Sequence, residues 1–94
     1  MNRLKFNLDS KNYYVTNYIC LGENLFLLLL DENKEVFKGN VICVNRRFEL
    51  LHRFESNMSS TISTNNDSII LYCSGYQFHF HATTFEMQFY EWVK

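Results

Sequence analysis

The stretch SIILYCSGYQFHFHATTFEMQFYEW, Ser68 to Trp92, decides the fold, because two short turns inside it fix a register that can be tested against itself. Ser74-Gly75 and Thr83-Thr84 separate runs of alternating apolar and polar residues, the signature of consecutive β-hairpins. With Ser74-Gly75 as a two-residue loop, Leu71 faces Phe78 and Ile69 faces Phe80. With Thr83-Thr84 as another, Phe80 faces Met87 and Phe78 faces Phe89. The two hairpins agree. One face carries Ile69, Leu71, Cys73, Tyr76, Phe78, Phe80, Ala82, Phe85, Met87 and Phe89, a core face. The other carries Ser68, Ile70, Tyr72, Gln77, His79, His81, Glu86, Gln88, Tyr90 and Trp92. A slip of one residue would bury the histidines and glutamines and expose four phenylalanines, so the register is strongly specified.

Upstream, Leu4, Phe6 and Leu8 alternate with Arg3, Lys5 and Asn7, which predicts a half-buried strand over Arg3 to Leu8. A second strand is expected from Tyr13 to Leu21, with Gly22-Glu23 as a type II′ turn into the apolar run of Leu25 to Leu30. That register pairs Ile19 with Phe26 and Val15 with Leu30 on one face, and Tyr18 with Leu27 and Thr16 with Leu29 on the other. The third strand is then apolar on both faces, so it is central and doubly covered, or else covered by a second chain. After the polar turn Asp31 to Lys34, Glu35 to Val44 predicts a fourth strand with Gly39 as a bulge. From Arg46 to Met58 the period changes: Phe48, Leu51, Phe54 and Met58 form a helical stripe, with Asn45 as N-cap. The polar stretch Ser56 to Ser68 predicts a loop. The expectation is one α+β domain over residues 1–94, with about seven mostly antiparallel strands in the order ββββαβββ and a single helix at residues 46–58.

At 94 residues there is room for a single core, and with 47% hydrophobic and 17% aromatic residues the chain is too apolar for a disordered tail. Nine Lys+Arg against ten Asp+Glu give a net charge of −1, which lacks the basic excess that nucleic-acid or anionic-membrane binding requires. Cys20, Cys43 and Cys73 are an odd number without a CxxC pair, which argues against a disulfide framework or a thiolate zinc site and for a reducing compartment. The absence of an apolar signal core and of a membrane-length apolar run leads us to expect a cytoplasmic protein. The lack of proline and the load of Asn, Ile, Phe and Tyr fit an AT-rich genome, and we expect a bacterial or phage origin.

Four constellations could carry chemistry. His79-Phe80-His81 puts two imidazoles on one strand face with Glu86 across from His81, a set that would suit a metal-dependent enzyme. The favoured alternative is a His81–Glu86 ion pair on a solvated face, and no metal or cofactor is expected. Cys73 lies on the core face, away from both histidines, and is read as a buried apolar thiol and not a nucleophile. Arg46 and Arg47, unfavourable in a first helical turn, could meet an anionic patch of a partner together with Arg53, or else lie in solvent just before the helix. The fourth is the outer face of the C-terminal hairpins. There Tyr72, Tyr90 and Trp92 interleave with Gln77, His79, His81 and Gln88, the mixture of rigid rings and adaptable polar groups enriched in protein-recognition surfaces. Cover by the helix is the alternative use of that face.

The segments Val36-Phe37-Lys38-Gly39, Phe48-Glu49-Leu50-Leu51-His52-Arg53-Phe54, Ser68 to Gly75 and Phe85-Glu86-Met87-Gln88-Phe89, in this order of elements, resemble the small WapI-type immunity proteins of bacterial toxin systems. The resemblance implies a non-enzymatic inhibitor that neutralises a toxin by steric occlusion. With a net charge of −1, charge mimicry of nucleic acid is not the expected means. A phage-encoded blocker of a host defence protein would perform the same biochemistry, whereas a structural subunit of a larger assembly would self-associate through the Leu25 to Leu30 strand, a homodimer being one such form.

Overall fold

The computed structural model describes residues 4–8, 10–30, 39–54, 61–73 and 75–93. They form nine strands: β1 (Lys5–Leu8), β2 (Lys11–Gly22), β3 (Leu25–Leu30), β4 (Val41–Val44), β5 (Leu50–Phe54), β6 (Thr61–Asn65), β7 (Ser68–Cys73), β8 (Tyr76–His81) and β9 (Met87–Trp92). Strands β1 to β5 make one antiparallel sheet in chain order, and β6 to β9 make a second. The fold is therefore all-β among the described residues, not α+β.

The expected helix is absent where it can be seen. Leu50–Phe54 is strand β5, paired with β4, and residues 55–58 lie outside the described residues. Asn45, expected to cap a helix, instead ties a hairpin turn: its Oδ1 accepts from the N–H groups of Arg47 (2.9 Å) and Glu49 (3.0 Å). The same carboxamide chemistry serves an N-cap and an Asx turn, so the residue alone does not choose between them. Within the expected loop Ser56 to Ser68, Thr61–Asn65 is strand β6, joined to β7 through Asn66 and Asp67, with Asn66 in the left-handed region (φ 55°) as a tight hairpin turn needs. Of the expected fourth strand, Val41–Val44 is observed; Gly39 precedes it at φ 75°, and residues 35–38 are outside the described set.

The β2–β3 turn falls one residue later than expected, at Glu23-Asn24, and a bulge between Cys20 and Gly22 then pairs Ile19 with Leu27 and Tyr18 with Leu28. A second bulge, between Val15 and Asn17, shifts the register once more so that Val15 meets Leu30, the pairing the alternation predicts. One face of β3 and β4, with Leu27, Leu29, Val41 and Cys43, packs with Phe54 of β5 against Ile62, Ile69, Leu71, Cys73 and Phe80 of the second sheet. The opposite face, with Leu28, Leu30, Ile42 and Val44, packs against Phe6 and Leu8 of β1. The long strand β2 makes this second cover. Its first residues pair with β1 and its later ones with β3, and the bulge between Val15 and Asn17 lets the β1–β2 hairpin fold over the sheet. The doubly apolar third strand is thus covered on both faces by this chain.

Adjacent residues of β3 give a direct test. Leu27 and Leu28 point to opposite faces and are 0% and 1% exposed. We expect Leu27→Ala and Leu28→Ala each to lower the unfolding free energy by about 2–5 kcal/mol, measured by urea denaturation; a near-zero value for Leu28→Ala would mean that β1 does not cover that face. Thiol reactivity gives a second test. Cys20 is exposed, whereas Cys43 and Cys73 are buried, and burial pushes the Cys43 thiol up to about 11. Titration with an aromatic disulfide at pH 8 should modify Cys20 rapidly in the native protein, and the other two only after unfolding.

Candidate protein interface

Strand β9 is the edge of the second sheet, and each of its six residues is exposed. The hairpin that leads into it closes through two main-chain bonds, His81 N–H to Glu86 O and Phe85 N–H to His81 O, both 2.8 Å. Phe85 has φ 65°, an unfavourable region for a bulky residue, and its ring is held there by stacking on His52 (4.9 Å) and an edge contact with Phe54 (5.7 Å). Phe80 then faces Met87 as the alternation predicts.

Beyond that pair the register departs from expectation. A bulge lies between the His79 and Phe80 pairings, so His79 faces Phe89, Phe78 faces Tyr90, Gln77 faces Glu91 and Tyr76 faces Trp92. The insertion turns the rest of β9 over. Tyr90 and Trp92, expected beside the histidines, join the face of Tyr76 and Phe78. There Tyr90 stacks on Phe78 (5.6 Å, 29°) and Trp92 meets Tyr76 edge-on (4.8 Å, 70°). This is the core side of the sheet, yet Tyr90 and Trp92 remain 59% and 61% exposed, so the other sheet does not cover this end.

The opposite face gathers Gln77, His79, His81, Gln88 and Tyr72, as expected, and gains Phe89 and Glu91, which alternation missed. His79 stacks on Phe89 (4.1 Å, 15°), and its Nε2 lies 3.0 Å from Glu91 Oε2; a carboxylate only accepts, so that nitrogen donates. Ser68 Oγ donates to Gln88 Oε1 at 2.9 Å. Tyr72 is half-buried on β7, across from Gln77. Nδ1 of His81 is buried with no partner among the described residues.

The His79, His81 and Glu86 set is not assembled as a metal site. Glu86 meets His81 through its main-chain carbonyl, the carboxylate at His79 is Glu91, and among the described residues no three His, Cys, Asp or Glu side chains converge. Arg46 and Arg47 stand on the β4–β5 turn, away from the hairpin face, and Arg53 is engaged, its Nε donating to Gly39 O at 3.0 Å. No helix of the described residues is long and apolar enough to cross a membrane.

β9 thus offers main-chain groups along one open side, with Met87, Phe89, Tyr90 and Trp92 exposed around them. Edge strands are commonly protected by Lys, Pro or a bulge. Here the bulge protects only the start of the strand, and the single charge, Glu91, is bonded to His79. Compared with protein-family models, curated proteins and solved structures, the chain matches none.

Gly75 supports the aromatic end of this surface. It has φ 90°, and a Cβ there would lie 2.9 Å from the Trp92 ring. We expect Gly75→Ala to cost at least about 1 kcal/mol and to shift the emission of Trp92, the sole tryptophan, to longer wavelength. Unchanged stability and emission would count against the Trp92–Gly75 contact.

Proposed function

We propose that this protein is a small protein-binding inhibitor that docks on its partner through β9. The observation that carries the reading is the edge strand itself: six exposed residues, four of them large and apolar, on a sandwich that covers its central strands on both faces. Strand addition at such an edge supplies main-chain hydrogen bonds for affinity, and rings on the two faces supply specificity. Tyr90 and Trp92 on one face and Phe89 on the other are the anchors, since large rings already held by neighbours lose little freedom on binding. Neutralisation of a bacterial toxin by steric occlusion is the biological role we favour, and it rests on the resemblance to WapI-type immunity proteins. Blocking a host defence protein would use the same surface in the same way.

Parallel affinity capture from the native cells with the tagged wild-type chain and with a folded Tyr90→Ala/Trp92→Ala double variant tests the reading. The expected result is a stoichiometric partner whose toxic activity the wild-type chain suppresses, with binding weakened in the variant by about 2 kcal/mol or more. A partner retained equally by both chains would move the interface away from β9. Recovery of the wild-type chain alone would remove the inhibitor reading.

A further inference from the structure

A second surface lies on the outer side of the five-stranded sheet, where Leu4, Tyr18, Phe26, Leu28, Arg46 and Phe48 line a pocket of about 350 Å³. This is at the small end of the range for small-molecule sites, roughly 300–1,000 Å³. Its lining residues are apolar apart from Tyr18 and Arg46, so Arg46 is the single charged residue among the described lining. The main chain of Arg46 is fixed, because its N–H donates to Asn24 Oδ1 at 3.1 Å and so ties the β4–β5 turn to the β2–β3 turn. Its guanidinium has no hydrogen-bond or ion-pair partner among the described residues. On the far side of Arg46 a polar recess holds Arg47 with Glu23 and Glu49, and Glu49 is bonded through Oε1 to Asn45 Nδ2 at 2.7 Å. Arg46 also lines that recess, where the two arginines balance the two glutamates; in the apolar pocket Arg46 is the one charged residue among the described lining.

Phe48 supplies the second, independent observation. It occupies the left-handed position (φ 62°) that follows the turn residues of the β4–β5 hairpin, a position suited to Gly or Asn and costly for a bulky side chain. The turn imposes it through three bonds: Phe48 N–H to Asn45 O (3.0 Å), Asn45 N–H to Glu49 O (3.1 Å) and Glu49 N–H to Asn45 Oδ1. Phe85, the other phenylalanine with positive φ, is held by core rings. Phe48 has less return: it is partly exposed, a single core ring, Phe6, lies 6.3 Å from it, and it lines the pocket.

We propose that this pocket binds an amphiphilic anion, a single alkyl or aryl group bearing a carboxylate, with the apolar part against Phe26, Leu28 and Phe48 and the carboxylate on Arg46. Decanoate is the probe, compared with 1-decanol and decyltrimethylammonium, each below its aggregation limit and followed by amide and methyl NMR shifts of the full chain. Saturable shifts of Leu4, Leu28 and Phe48 with decanoate are expected, with at least tenfold weaker binding of the ammonium. Arg46→Ala should weaken decanoate at least tenfold. Phe48→Gly should do the same while staying folded, because glycine is at ease at that φ. No saturable shift at millimolar decanoate, equal affinity for the ammonium, or wild-type affinity in either variant would overturn the proposal. Tyr90→Ala/Trp92→Ala should bind decanoate as the wild type does, which separates this site from the β9 surface.

Discussion

Burial of both faces of β3 and β4 is the constraint on which the rest of the structure depends. Leu27, Leu29, Val41 and Cys43 on one side and Leu28, Leu30, Ile42 and Val44 on the other cannot be left in water, and a single opposing sheet satisfies only half of them. The chain meets the two demands from its two ends. The C-terminal hairpins bring Ile69, Leu71 and Phe80 over one face, and the N-terminal hairpin folds Phe6 and Leu8 over the other. With its covering elements committed to this central pair, the chain leaves the far strand of the second sheet uncovered. The exposure of β9 follows from where the apolar surface of β3 and β4 lies.

One inserted residue determines what that exposed strand presents. Without the bulge, Phe89 would lie beside Phe78, and Tyr90 and Trp92 beside the histidines. With it, Glu91 reaches His79, Phe89 stacks on the same imidazole, and Tyr90 and Trp92 complete a ring cluster with Tyr76 and Phe78. The strand therefore carries rings on both faces, where a simple alternating strand would divide into an apolar side and a polar one. A partner strand laid along β9 would meet aromatic surface on either side of its backbone. That arrangement suits recognition better than a flat one-sided patch, because main-chain bonds and side-chain pockets act together.

The two-sheet sandwich was not legible, but single hairpins were, where short turns and strict alternation coincide. The β7–β8 register follows from Leu71 facing Phe78 and Ile69 facing Phe80, whereas the lack of a polar face on Leu25–Leu30 called for cover on both sides without choosing between this chain and a second one. Strand β5 was not legible, because Leu50 and Leu51 are both exposed beside a bulge while Phe48 projects from the turn. The resulting spacing of Phe48, Leu51 and Phe54 imitates a helical stripe. Strand β6 was hidden for a different reason: as an edge strand it buries only Ile62, and one apolar residue among Thr61, Ser63, Thr64 and Asn65 leaves no period to detect. Within the candidate interface the face of His79 and Gln77 could be read, but the turnover of Tyr90 and Trp92 could not, since a bulge changes parity without changing composition.

The two phenylalanines with positive φ show how a local cost can be traced to what it obtains. Both follow hairpin turns, and at both sites a glycine would remove the strain. At Phe85 the return is internal: the ring lies among His52 and Phe54, so the strain is offset by the core and fixes how the β8–β9 hairpin enters the sandwich. At Phe48 few core contacts return the cost, and the ring stands at an apolar pocket whose one charged residue among the described lining is Arg46 of the same turn. Backbone strain of this kind persists where surrounding bonds over-determine it, and the Asn45 bonds do so here. The β4–β5 turn therefore holds an aromatic ring and the main chain of Arg46 in place over the outer sheet face. Because β9 belongs to the other sheet, the two surfaces are built on separate hairpins and can vary independently.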